Sequence, residues 1–322
     1  MSAVVTVTFN PSIDKSIIVA GLIPEKKLHC SAPVLEPGGG GINVARGIER
    51  LGTPVSAIFF SGGYHGRLLT ELLTKEKINC IPIETSNLTR ENWVITEESG
   101  NRQYRFVMPG TMIHESEWKQ CLVQLDSIDG IKFIVVSGSM PEGFPSDIFQ
   151  NLRLIASRKK AKLIVDSSGD GLVKAVQSGV FMIKPSINEF NLLRQTLQLT
   201  NQSLAAAAEE IILKKYCEVV VVSMGEAGAL LVTKDMQLQI KAPSVKKMST
   251  VGAGDSMVAG IVHSLINNKT IEDAVRFGVA CGTAATKNAG TALFRPEDAY
   301  QLYKEMQGGL VNDSEEKIFL KI

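Results

Sequence analysis

From about residue 114 onward the chain alternates helical and strand-like stretches at regular intervals. The pattern predicts helices over 114–125, 146–159, 170–177, 187–197 and 203–216, and strands over 132–137, 162–166, 180–184 and 218–223. Strands that alternate with helices build βαβ units, and βαβ units build a parallel sheet covered on both faces. Buried strands over 4–8 and 55–60 and a helix over 66–76 extend the pattern toward the N-terminus. Antiparallel strands within 229–242 and helices near 253–267, 271–287 and 296–306 close it. The expected fold is a doubly wound, mostly parallel α/β domain.

Two segments do not fit the alternation. Residues 15–35 suggest strands at 15–19 and 28–35 joined at Pro24-Glu25, and residues 90–108 suggest a hairpin, 93–96 with 104–107, around Ser99-Gly100-Asn101. Together they are expected to form a small β-sheet lid inserted into a single domain spanning 1–307. The charged stretch 308–322 begins with Gly-Gly and is either a frayed tail or an added edge strand. A chain of 322 residues allows one large domain or about two of roughly 150 residues.

Charge and cysteine usage narrow the function. Lys plus Arg is 34 and Asp plus Glu is 33, a net charge of +1, which argues against a general nucleic-acid or anionic-membrane binder but leaves room for a local basic pocket. Aromatic residues make up 6% of the chain, too few for a base-stacking platform. Cys30, Cys80, Cys121, Cys217 and Cys281 are odd in number and lack CxxC spacing, which fits reduced thiols in a cytoplasm. His65, His114 and His263 lack metal-ligand spacing, and Trp118 is expected to pack. Residues 2–13 read as a strand and turn rather than a signal peptide, and no apolar run approaches the ~20 residues of a membrane span.

Three stretches carry chemistry. Thr250-Val251-Gly252-Ala253-Gly254-Asp255-Ser256 opens an apolar helix. Glycines at a helix start turn backbone N–H groups toward one point, which makes an anion hole. Asp255 at its edge suits a base that takes a proton from a nucleophile attacking a phosphoryl group; it equally suits an acid decorating a first helical turn. Glu36-Pro37-Gly38-Gly39-Gly40-Gly41-Ile42-Asn43 exposes amides beside Asn43, which fits a polyhydroxy ligand or a flexible turn. Asn10-Pro11-Ser12-Ile13-Asp14 follows the first strand, at the edge where open α/β sheets bind ligands; Asp14 there is a sugar ligand or a turn former. There is neither a Rossmann fingerprint nor a P-loop.

The order of these stretches, with Ser137-Gly138-Ser139-Met140-Pro141, Lys184-Pro185-Ser186-Ile187-Asn188-Glu189 and Ser223-Met224-Gly225 between them, resembles the ribokinase-like (PfkB) carbohydrate kinases over residues 3–305. Residues 36–46, 103–110 and 164–169 are most similar to the bacterial minor-type 6-phosphofructokinases, with tagatose-6-phosphate kinases and 1-phosphofructokinases next. The resemblance implies a ribokinase-like fold and roles for residues. Asp255 would be the base, with Gly252, Ala253 and Gly254 stabilising the transferring phosphoryl group. Asp14, Gly38, Gly39, Asn43 and Ser139 would hold the sugar, and Lys27 and Arg90 its phosphate. Lys184, Ser186, Ser223, Gly225, Gly228 and Asn288 would bind ATP. Asp166 and Glu189 would serve Mg2+, and Ser249, Val251, Ala285, Asn288 and Gly290 a K+ ion. The chain departs from the family at Ser186, usually Asn, at Ser249-Thr250, often Asp-Thr, and at His29 and Ala292, often Arg.

The implied function is ATP-dependent phosphorylation of a ketohexose phosphate, fructose 6-phosphate at its 1-hydroxyl in glycolysis. The alternatives are tagatose-6-phosphate kinase, 1-phosphofructokinase and, further off, a nucleoside or unphosphorylated-sugar kinase or a sugar sensor. No nucleic acid or membrane partner is implied. A homodimer through the lid is, with Ile17, Ile18, Val19 and Val94 expected at its surface.

Overall fold

The computed structural model describes residues 2–100, 102–201, 203–288 and 292–308. The N-terminal half runs β1 (Val4–Thr8), β2 (Ser12–Val19), β3 (Val34–Gly38), α1 (Gly40–Arg50), β4 (Val55–Gly62), α2 (Gly63–Lys75), β5 (Asn79–Thr85), β6 (Arg90–Glu97), β7 (Arg102–Phe106) and α3 (Glu115–Ser127). It continues with β8 (Phe133–Ser137), α4 (Ile148–Lys159), β9 (Lys162–Asp166), α5 (Gly169–Ser178), β10 (Val180–Ile183), α6 (Ile187–Thr196), α7 (Leu204–Leu213) and β11 (Cys217–Ser223). The chain ends in β12 (Ala229–Thr233), β13 (Gln237–Ile240), α8 (Ala253–Ile266), α9 (Ile271–Thr286) and α10 (Pro296–Gly308). The tail 309–322 lies outside the described residues.

Among the described residues the main sheet has nine strands in the order β13-β12-β11-β10-β9-β8-β1-β4-β5, and β3-β2-β6-β7 form a separate four-stranded sheet. In the main sheet β11–β12 and β12–β13 pair antiparallel and the other neighbours pair parallel. Side chains alternate across a strand, so each strand feeds both faces. Val4, Phe59, Val135, Ile164 and Val221 meet α1, α8, α9 and α10 on one side. Val5, Ile58, Val136, Val165 and Val222 meet α3, α4, α5, α6 and α7 on the other. Each such side chain, fully buried, contributes about 1.5–3 kcal/mol. Two covered faces are the physical reason the strand runs are apolar throughout.

The chain winds outward from β1 through β4 to β5, then returns to β8 and winds the other way. Strand order therefore reverses between β1 and β8, and the carboxyl ends of these strands border a crevice. The small sheet is tied to this region because β2 follows β1 directly and β6 pairs parallel with β2, Ser12 opposite Arg90.

The structure corrects four expectations. The strand expected over 28–35 starts only at Val34, with Cys30 making an isolated bridge to Val19; Pro33 has no N–H to give a ladder. β5 has no counterpart in the sequence pattern: it is an edge strand carrying Pro82 and the exposed polar residues Asn79 and Glu84, so it lacks the apolar run of its neighbours. α7 stops at Leu213 rather than 216, where Lys215 adopts a left-handed φ of 57°. Val19 and Val94 are buried, 3% and 6% exposed, and cannot face a second lid.

Candidate active site

Five strand ends deliver the candidate residues to one crevice. Asn10 follows β1, Ser137 ends β8, Asp166 ends β9, Lys184 follows β10 and Ser223 ends β11. Two helices start against it. α1 begins at the glycine run, and α8 begins after Gly252, whose φ of 72° is left-handed and ordinary only for glycine.

Asp255 lies in the first turn of α8. Its Oδ2 accepts from Asn43 Nδ2 at 2.9 Å, and its Oδ1 accepts from Ser137 Oγ at 3.4 Å. Burial pushes its carboxyl up, while the Asn43 bond, the Lys184 charge and the Ser137 bond pull it down and Asp14 pushes it up. A Cβ at Gly254 would stand 3.3 Å from Lys184 Nζ, which places that ammonium against the helix start.

Lys184 is 4% exposed and its Nζ lies 3.1 Å from Asp166 Oδ1. Burial pushes it down, but Asp166, Asp255 and Glu189 outweigh that and hold it protonated. Asp166 is pushed up to about 6 by burial, with Asp255 and Glu189 adding to the rise and Lys184 opposing it. Glu189 sits in the first turn of α6. Its Oε2 accepts from Ser186 N at 2.7 Å and Ser186 Oγ at 2.8 Å, and Ser186 Oγ accepts from Glu189 N at 3.3 Å. Ser186 thus closes a capping box, a job its short side chain does as well as asparagine.

On the lid side, Asp14 Oδ1 accepts from Ser12 Oγ at 2.8 Å and from Asn92 Nδ2 at 2.9 Å. A Cβ at Gly38 would come within 2.6 Å of Asp14 Cγ, so only glycine leaves that carboxylate in place. Gly39 caps the start of α1. Ser139 is exposed and its Oγ accepts from Asn10 Nδ2 at 2.9 Å. Arg90 bridges lid and main sheet: Nη1 donates to the Met108 carbonyl at 2.7 Å and Nη2 to the Asn10 carbonyl at 3.2 Å, while its buried Nε has no hydrogen-bond partner.

Lys27 lies exposed in the segment between β2 and β3, with no hydrogen bond or ion pair to another described residue. His29 is exposed nearby in sequence. Ser223 N donates to the Pro185 carbonyl at 2.9 Å, tying β11 to the Lys184 segment. A Cβ at Gly225 would meet open space, whereas one at Gly228 would stand 1.9 Å from the Ile240 carbonyl oxygen; the backbone alone requires that glycine. Ser249 N donates to the Thr286 carbonyl at 3.3 Å and Asn288 N to the Ala285 carbonyl at 3.1 Å, which gathers Ser249, Ala285 and Asn288 beside Val251. Gly290 lies outside the described residues. Four further residues of the site, Asn10, Ser137, Asn92 and Arg46, have no assigned role in the sequence reading. Asn10, Ser137 and Arg46 fall inside its motifs, whereas Asn92 carries no local signal of a role.

The crevice therefore holds a carboxylate beside a glycine-built helix N-terminus, a buried ammonium and a second carboxylate pair. That set can accept a proton and stabilise a phosphoryl group.

Comparison with known proteins fits this geometry. The model of the pfkB family carbohydrate kinases matches residues 7–298. The ATP-dependent 6-phosphofructokinase isozyme 2 of Escherichia coli is 41% identical over 304 residues, covering 94% of this chain and 98% of that protein. The 1-phosphofructokinase of Bacillus subtilis is 30% identical, covering 90% of this chain and 95% of that protein. The crystal structure of Escherichia coli phosphofructokinase-2 in complex with potassium superposes with a TM-score of 0.90 at 41% identity, covering 95% of this chain and all of that one.

Proposed function

The chain belongs to the pfkB family of carbohydrate kinases, and from that premise we propose that it transfers the terminal phosphoryl group of ATP to the 1-hydroxyl of fructose 6-phosphate. The observation that carries this reading is Asp255, held by Asn43 and Ser137 at the glycine-built start of α8. In the reaction Asp255 takes the hydroxyl proton, the sugar O1–P bond forms, and the bond from phosphorus to the ADP oxygen breaks. The amides at Gly252–Gly254 and the Lys184 ammonium face the charge carried by the phosphoryl oxygens.

Asp14, Asn43 and Ser139 hold the sugar hydroxyls, and Arg90, with its spare buried Nε, reads the sugar phosphate. Ser223 and Gly225 border the ATP side. Asp166 and Glu189 each have one oxygen engaged by the protein and one left over, a fit to Mg2+, which needs only one or two carboxylates besides phosphates and water. Held there, Mg2+ would supply charge neutralisation to the ATP phosphates. The segment gathering Ser249, Val251, Ala285 and Asn288 offers carbonyl and hydroxyl oxygens to a K+ ion, in keeping with the potassium in the Escherichia coli structure.

Ile18, Val34 and Phe106 of the lid are exposed, 47%, 59% and 47%, and supply apolar surface for a second copy of the chain. No helix among the described residues is long and apolar enough to cross a membrane, and free thiols support a cytoplasmic setting.

A coupled ADP-release assay with fructose 6-phosphate, tagatose 6-phosphate, fructose 1-phosphate and ribose tests the reading. The highest kcat/KM is expected for fructose 6-phosphate; preference for ribose or for a nucleoside overturns it.

A further inference from the structure

Asn43 meets Asp255 through its Nδ2, and the group that fixes this orientation stands on the far side of the amide. Arg46, three residues further along α1, is 4% exposed and directs Nη1 at Asn43 Oδ1 (3.4 Å) and at the Pro37 carbonyl (3.3 Å). The rest of the guanidinium is clamped by Glu76 at the end of α2. Nε donates to both carboxylate oxygens, at 3.0 and 2.8 Å, and Nη2 lies 2.8 Å from Oε1. The fork therefore has no freedom to swing away from Asn43.

A side-chain amide has a donor end and an acceptor end of nearly the same shape. Turned around, Asn43 would set its oxygen against the Asp255 carboxylate and its NH2 against a guanidinium, two repulsive contacts in place of two attractive ones. We infer that Arg46, anchored by Glu76, is a positioning residue for the reaction: it orients Asn43 so that the amide donates to Asp255. This inference rests on the reading of Asp255 as the base.

The consequence reaches the proton transfer itself. Asp255 is faced by Asn43 from α1, Ser137 from β8, Lys184 from the segment after β10 and Asp14 from β2. The Asn43 bond favours its ionised form and aims the free lone pairs. An Asn43 that can flip removes that bond and lets its oxygen favour the protonated acid.

The test is a double-mutant cycle of Arg46→Met, which keeps the volume and removes the fork, with Asn43→Ala. In the wild-type background Arg46→Met is expected to lower kcat about 10–100-fold, the cost of a misaligned catalytic group, and to move the acid limb of the kcat profile to higher pH. In the Asn43→Ala background the same change should leave kcat within about two-fold. An equal loss in both backgrounds, or a folded Arg46→Met enzyme with unchanged kcat and acid limb, overturns the relay.

Should Arg46→Met fail to fold by thermal melting, Glu76→Gln takes its place in the same cycle, because the Glu76 side chain is 31% exposed and its charge can be removed without leaving a buried void. The expected result is a smaller loss in the same direction that vanishes in Asn43→Ala; its persistence there overturns the relay. Asp255→Asn separates the two readings. An active Asp255→Asn enzyme overturns the base assignment, whereas an inactive one beside an unaffected Arg46→Met overturns the relay alone.

Discussion

Asp255 stands between opposing influences, burial lifting its carboxyl and Asn43, Lys184 and Ser137 pulling it down. Asp255→Asn keeps the size and the fold, and is expected to retain ATP binding while losing turnover by roughly 10²–10⁴-fold, the usual worth of a general base. Single-turnover kinetics with a fluorescent-nucleotide binding control checks this; more than about a tenth of wild-type kcat would remove Asp255 from that role.

Arg90 is the second residue to probe. Its guanidinium already spans Met108 and Asn10 and keeps Nε in reserve. A charge-assisted contact to phosphate is worth about 1.5–3 kcal/mol, so Arg90→Ala should raise KM for fructose 6-phosphate roughly 10–150-fold. KM for ATP should stay put, because Ser223 and Gly225 stand at the far strand end. Steady-state kinetics with each substrate varied in turn decides it, and equal shifts in both KM values would point to a damaged lid instead.

At the scale of the element, α6 and the small sheet carry the sharpest consequences. The Ser186–Glu189 capping box ties the start of α6 to the carboxylate proposed for Mg2+. Ser186→Ala should cost about 0.5–2 kcal/mol of stability through the lost cap. It should also raise the Mg2+ concentration needed for half-maximal activity, because Glu189 loses the hydroxyl bond and keeps only the one from the residue 186 amide; calorimetry and a Mg2+ titration read the two effects.

The small sheet leaves Ile18, Val34 and Phe106 exposed, whereas Val19 and Val94 are spent inside its own chain. Sedimentation should show a dimer at micromolar concentration. Ile18→Glu with Phe106→Glu should give monomers, since like charges on an apolar contact oppose pairing. A dimer that survives the double change would place the contact elsewhere.

Across the whole molecule, the fold gathers Asp166, Glu189 and Asp255 from separate elements around one buried ammonium, Lys184, with Asp14 facing Asp255. Burial is the first cause of the rise at both Asp166, pushed up to about 6, and Asp255. A carboxyl with a raised pKa takes up its proton earlier as pH falls, and a base must be ionised to act. Protonation of Asp255 should therefore cost activity on the acid side at a higher pH than an ordinary carboxylate would. Lys184 is raised and stays charged through the neutral range, so it adds no basic limb there. A pH–rate profile of kcat/KM whose acid limb lies no higher than the ordinary aspartate value of about 3.9 would contradict this.

The alternation of strands and helices, the two covered faces and the glycine-Asp start of α8 were all legible in the residues. Each is a local matter: hydrophobic period sets the element, and glycine spacing sets the turn that opens a helix. The edge strand β5 was not legible, because an edge needs no continuous apolar run, and neither was the late start of β3 after Pro33. Nor could the sequence pair Asn43 with Asp255 across 212 positions, set Arg46 behind that amide or bring Asn92 to Asp14. Those are choices among partners far apart along the chain. Only the stacking of the sheets and helices fixes the distances on which such partnerships depend.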